Sequence, residues 1–124
     1  MNLPKTIAVV GVSEDKTKFG RRVFDKLVAL GFEVYPINPK HSHIDGFKCY
    51  PSLSALPKKP DLVLTVVPPT VTEKVVQECK QLGISSVWMQ PGSESEQAIK
   101  FCKENGISVT HSACFVVDGL KEKL

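Results

Sequence analysis

Apolar positions along the chain alternate between two kinds of run. Ile7-Ala8-Val9-Val10 and Leu62-Val63-Leu64-Thr65-Val66-Val67 are short, continuous and rich in β-branched residues, which suits strands buried on both faces of a parallel sheet. Between them Phe19, Val23, Leu27 and Leu30 recur at steps of four, four and three, the apolar face of a helix over 19–30 that Gly31 closes. Phe32 to Ile37 predicts a second strand, ended by Asn38-Pro39. A polar stretch over 40–60 follows, in which only a short turn or helix around Leu53 and Leu56 is expected. After the strand over 62–67, Pro68-Pro69 is a break, and Thr70 or Thr72 is expected to cap the next helix, with Glu73 in its first turn. Val71, Val75, Cys79 and Leu82 form its expected inner face, and Gly83 its end. Ser86 to Met89 reads as a strand and Glu94 to Glu104 as a helix with Ala98, Phe101 and Cys102 inward. Ile107 to Thr110 reads as a last strand.

Alternating buried strands and amphipathic helices imply right-handed crossovers and an α/β architecture. The expected fold is a Rossmann-like open parallel five-stranded sheet with helices on both faces, in three layers. At 124 residues the chain is expected to form a single domain over 1–124. Its 42% hydrophobic and 23% charged content excludes disordered, collagen-like and disulfide-framework classes. A net charge of +3, with Arg21 and Arg22 as the only arginines, argues against nucleic acid. Cys49, Cys79, Cys102 and Cys114 form no C-x-x-C pair, and Cys79 and Cys102 read as core residues. The N-terminal apolar run is too short for a signal segment or a membrane span, so a cytoplasmic location with no membrane partner is expected. Trp88 is expected in the core, and Lys121 to Leu124 as a frayed or weakly helical tail.

In open parallel sheets ligands bind beyond the carboxyl ends of the strands. The segments placed there are Gly11-Val12-Ser13 and the polar loop to Gly20, Asn38-Pro39-Lys40, Pro68-Pro69-Thr70, Gln90-Pro91-Gly92-Ser93, and His111-Ser112-Ala113-Cys114. Gly11 allows a tight turn, Ser13 can donate a hydrogen bond, Lys16 and Lys18 supply charge, and a helix starts near Gly20: together, an anion site. The loop fits neither G-x-G-x-x-G, because Ser13 stands at the second glycine, nor G-x-x-x-x-G-K-[ST], because Arg21 follows Gly20. The second strand ends without the acidic residue that holds a ribose 2′-hydroxyl; Lys40 there favours a phosphate on the ribose instead. That suits NADP and the 3′-phosphate of coenzyme A equally. Pro68-Pro69 offers a rigid, donor-poor wall. His41 and His43, with Asp45, make a weak case for a metal. His111 and Cys114 could pair as imidazole and thiolate, but a packed Cys114 and a solvent-facing His111 is the favoured reading.

Four stretches, Gly11–Lys40, Gly46–Pro57, Asp61–Pro69 and Val87–Ala98, stand in the order seen in a known family. Over about residues 5–118 the chain resembles the stand-alone CoA-binding domain proteins, similar to the CoA-binding domain of the succinyl-CoA synthetase α subunit. The resemblance implies that Gly11, Val12, Ser13 and Lys18, with the helix start at Gly20 and Arg21, hold a diphosphate. It puts Asn38, Pro39 and Lys40 at the 3′-phosphoadenosine end, Val67 and Pro68 beside the adenine or upper pantetheine, and Gln90 and Gly92 along the pantetheine arm. Cys114 matches a family cysteine, but Ala113 stands where the family often has arginine. The phosphate-carrying histidine of the synthetase belongs to a second domain, and His111 does not match it. The resemblance therefore implies binding of CoA or acyl-CoA without ligase chemistry. An acyl-CoA thioester enzyme using Cys114 and His111 is the second reading and an NADP-binding oxidoreductase domain the third. A homodimer is compatible with this class.

Overall fold

The computed structural model describes residues 4–115. Seven strands and three α-helices follow in order: β1 (Thr6–Val10), α1 (Phe19–Ala29), β2 (Glu33–Ile37), β3 (His43–Ile44), β4 (Phe47–Lys48), β5 (Leu62–Thr65), α2 (Pro69–Leu82), β6 (Ser86–Met89), α3 (Glu96–Glu104) and β7 (Ser108–Thr110). Five strands form one parallel sheet in the order β2-β1-β5-β6-β7. The register sets Val10 beside Ile37 on one side and Thr65 on the other. The expected five-stranded α/β sheet is thus present. The expected tail at Lys121 to Leu124 lies outside the described residues.

Strand alternation divides the core into two layers. Ile7, Val9, Leu62 and Leu64 face α1, meeting Val23, Phe24 and Leu27. Ala8, Val10, Val63, Val87 and Met89 face the other way, meeting Val75, Val76 and Cys79 of α2 and Ala98 and Cys102 of α3. Burial pushes the Cys79 thiol up to about 12, helped by its neighbour Cys102, whose own thiol burial raises to about 11. Both are core groups, as their helical spacing predicts. No helix among the described residues is long and apolar enough to cross a membrane.

Several local expectations change. The polar stretch holds a hairpin, β3–β4, in addition to the short turn, which is a 3-10 turn at Leu53–Ala55. Asp45 (φ 51) and Gly46 (φ 85) supply the two left-handed residues of its tight turn. Buried Ile44 and the Phe47 ring, edge-on to Phe24 at 5.3 Å, fasten it to the α1 layer. The α2 helix starts at Pro69 with Pro68 as N-cap, so neither Thr70 nor Thr72 caps it. Proline suits this first position because its missing N–H would have no helical partner. The inner face of α2 is Thr72, Val75, Val76 and Cys79, while Val71 and Leu82 are exposed. Phe19 is exposed as well, as the first residue of α1 at the carboxyl edge of the sheet.

Two glycines set how closely the layers meet. A Cβ on Gly20 would lie 2.3 Å from the Gly11 carbonyl oxygen, and one on Gly11 2.2 Å from the Val66 carbonyl oxygen. Inside a helix, glycine to alanine ordinarily stabilises by about 1 kcal/mol. Here the sign reverses: Gly20→Ala is expected to destabilise by about 2 kcal/mol, since backbone must shift to admit the methyl. Urea unfolding checks this, and a stabilised variant would contradict the close approach.

Candidate functional site

The direction in which strands are added reverses between β1 and β5, the switch point beyond which open parallel sheets bind their ligands. The Gly11 amide still bonds the Ile37 carbonyl (3.0 Å) and the Val66 amide the Val10 carbonyl (2.9 Å), so both loops leave from fixed backbone. Val12 is fully buried, and the segment beyond it folds on itself. The Ser13 Oγ accepts from the Asp15 amide (3.0 Å), and Asp15 Oδ1 accepts from the Thr17 amide (2.9 Å) and hydroxyl (2.6 Å). The Thr17 hydroxyl chiefly holds the Asp15 carboxyl below the usual aspartate range. No side chain caps α1. Its first-turn amides, at Phe19, Gly20 and Arg21, have no acceptor among the described residues. Free amides with the positive end of the helix dipole suit an anion. The Ser13 hydroxyl retains its proton for donation, and Lys16 and Lys18 are exposed beside it.

The segment after β2 is tied to this loop. Asn38 Nδ2 donates to the Val12 carbonyl (2.8 Å) while its Oδ1 accepts from the Lys40 amide (2.9 Å). His41 Nδ1 meets Glu14 Oε1 at 3.1 Å. Pro39 and Lys40 are exposed, which leaves the ammonium available. Arg21 is different: its side chain is buried, and its guanidinium is taken up by Asp25, Asp45 and the Ser13 and Glu14 carbonyls. Only its backbone amide remains for a ligand.

On the other side of the switch point Val67 is half-buried and Pro68 exposed. Gln90, read as lining a ligand path, has a fully buried side chain. Its Oε1 accepts from the Phe115 amide (2.7 Å), and its Nε2 donates to Cys114 Sγ (3.4 Å). Trp88 Nε1 donates to the Ala113 carbonyl (2.7 Å), and the Trp88 ring meets Phe115 edge-on at 5.1 Å. These contacts carry the segment after β7 across the carboxyl end of β6 to the α1 layer. His111 Nδ1 lies 2.9 Å from Ser112 Oγ. Gly92 has open space where a Cβ would stand. Among the described residues no three His, Cys, Asp or Glu side chains are grouped to hold a metal. A groove of about 330 Å³ lies between α2 and α3, lined partly by Gln77, Gln97 and Phe101.

Asp61 and Glu94 carry functions that charge patterning alone did not reveal. Asp61 Oδ2 accepts the Lys5 and Thr6 amides (2.9 and 3.1 Å) at the opposite edge of the sheet. Glu94 joins two loops, with Oε1 on the Gly92 amide (2.7 Å) and Oε2 on the Ser112 amide (3.2 Å).

A site built this way has relatives. The chain matches the CoA binding domain family over residues 5–119 and belongs to it. It is 34% identical over 100 residues to the ADP-forming acetate–CoA ligase I of Archaeoglobus fulgidus, a match covering 81% of this chain but only 15% of that protein's length. A conserved hypothetical protein from Pyrococcus furiosus shares the fold with a TM-score of 0.88 and 38% identity, over 92% of this chain and 98% of that one. A dinucleotide-forming acetyl-coenzyme A synthetase 1 from Ca. Korarchaeum cryptofilum, solved with phosphate and ADP, matches with a TM-score of 0.76 and 33% identity over 86% of this chain and 25% of that one.

Partial burial opposes ionisation of Glu94, but the amides it accepts from and the nearby His111 outweigh this and hold its carboxyl below the ordinary glutamate value. A depressed folded value means that the bridge stabilises fully above the unfolded value and is lost as pH falls through the folded one. The Gly92 and Ser112 amide resonances are expected to titrate together in acid and to lose that transition in Glu94→Gln. Amides that titrate independently would contradict the bridge.

Proposed function

We propose that this chain binds coenzyme A or an acyl-CoA at the carboxyl edge of the sheet, as a single cytoplasmic binding domain over 1–124. The observation that carries this reading is the uncapped start of α1 beside the switch point, in a chain of the CoA-binding domain family. The residues present fit the ligand's anionic groups. The Gly20 and Arg21 amides, the Ser13 hydroxyl and Lys18 would hold the diphosphate, over a turn shaped by Gly11 and Val12. Asn38 would fix the backbone that presents Pro39 and Lys40 to the 3′-phosphate. Val67 and Pro68 would form the apolar wall beside the adenine or upper pantetheine. Gly92 would leave room for the pantetheine arm, with buried Gln90 setting that path by holding the strap at 113–115.

The missing acidic residue after β2, with Lys40 in its place, argues against an unphosphorylated ribose, and the loop after β1 departs from the dinucleotide pattern. Calorimetric titration with coenzyme A, dephospho-CoA and NADP separates the readings. Coenzyme A is expected to bind about tenfold more tightly than dephospho-CoA, a difference of ~1.4 kcal/mol. Lys40→Ala is expected to abolish that preference. Binding of NADP alone would favour the oxidoreductase reading, and no binding of any of the three would refute the proposal. If Cys114→Ala removed an acyl-CoA thioesterase activity while leaving binding intact, the enzyme reading would replace it.

A further inference from the structure

We infer that Arg21 and Asp45 position the first βα loop for the ligand's diphosphate, Arg21 acting as a brace beneath the loop and not as a phosphate ligand. The inference rests on the coenzyme A reading above. Arg21 is the most buried charged residue described, at 2% exposure, and each of its three side-chain nitrogens is engaged. Its Nε donates to Asp25 Oδ1 (2.9 Å), Nη1 to the carbonyls of Glu14 (3.0 Å) and Ser13 (3.5 Å), and Nη2 to Asp45 Oδ2 (3.1 Å). A guanidinium is taken out of water at a large cost unless acceptors surround it. Here they do, and two of them belong to the loop that follows β1.

The consequence is directional. In a trans peptide the C=O and the following N–H point opposite ways. With the Ser13 and Glu14 carbonyls drawn toward the guanidinium, the Glu14 and Asp15 N–H groups face away from it. The Asp15 N–H then meets Ser13 Oγ, which fixes that hydroxyl as acceptor on one side and leaves its proton to donate. The brace therefore sets the donor face of the loop. It adds little attraction of its own, because one guanidinium stands against two carboxylates, Asp25 and Asp45. The free cationic charge at this edge lies on Lys16, Lys18 and Lys40, which are exposed.

Asp45 makes the β3–β4 hairpin part of this device. It stands in the left-handed position of the hairpin turn, its carboxylate 64% exposed and reaching the buried Arg21. Buried Ile44 and the Phe24–Phe47 ring contact hold the hairpin in place from below. The hairpin thus acts on the anion loop through a single side chain on α1.

The test uses Arg21→Lys, Arg21→Gln and Asp45→Asn, each titrated with coenzyme A and dephospho-CoA. A brace requires the planar fork, so both Arg21 variants are expected to lose about tenfold in affinity for the two ligands alike. Asp45→Asn is expected to lose about threefold, again for both. The ratio between the two ligands stays at its wild-type value, unlike in a variant that removes a 3′-phosphate contact. An Arg21→Lys protein that keeps wild-type affinity would overturn the brace in favour of simple charge. Because Arg21 variants could fail to fold, amide hydrogen exchange in ligand-free Asp45→Asn protein provides the independent arm. Faster exchange confined to residues 14–18, with an unchanged Tm, supports the brace; wild-type exchange there overturns it. Wild-type protein that binds neither ligand would overturn the coenzyme A reading and the ligand half of this one, while the exchange result would still decide whether the brace exists.

Discussion

Backbone meets backbone at one point of this molecule with no room for a side chain. The end of β1 at Gly11, the first turn of α1 at Gly20 and the carbonyl of Val66 after β5 approach so closely that a single Cβ would clash at 2.2–2.3 Å. This contact fixes the start of α1 against the sheet between the two strands where the order reverses. The carboxyl edge inherits its placement from it, in the uncapped amides of α1 and in the self-bonded turn over 13–17. Gly11 and Gly20 therefore shape the proposed anion site by packing against protein, and on that reading they act on a ligand through the backbone they position.

Charge around the site follows a simple division. Cations that reach solvent, Lys16, Lys18 and Lys40, lie on the rim. The buried cation, Arg21, is balanced by carboxylates and spent on loop geometry. Carboxylates near the edge are likewise occupied: Glu14 with His41, Asp15 with Thr17, Glu94 with the Gly92 and Ser112 amides. This edge thus combines exposed ammonium groups with amides that no side chain caps, while its acidic side chains have partners, and on the reading proposed above that is what a polyanion would meet. Such an arrangement favours association and orientation without requiring a large net charge.

The main sheet and its two-layer core were legible because burial on both faces leaves continuous β-branched runs, as at 7–10 and 62–65. What the pattern of apolar residues could not show was local. The hairpin was missed even though Asp45-Gly46 is a strong turn signal, because its strands have two residues each and no alternation to read. On the inner face of α2, Val75 and Cys79 were legible, but Thr72 was not, because it is polar yet buried, and Val71 and Leu82 are exposed. At the site, the loops were identifiable from their place after each strand. The internal use of Gln90 was not, nor was the Arg21–Asp45 bond, since the partners Cys114, Phe115 and Asp45 lie 24 or 25 residues away in sequence. Long-range hydrogen bonds of this kind carry no periodic trace in a single sequence.

The central claim is that a phosphate-bearing ligand lies across the loops after β1 and β2. Mapping of backbone amide chemical shifts during addition of coenzyme A tests it most directly. The account predicts the largest changes at residues 13–21 and 38–40, with the Gly20 and Arg21 amides moving downfield as they gain an acceptor. Changes confined to the α2–α3 groove, at Gln77, Gln97 and Lys100, would contradict it.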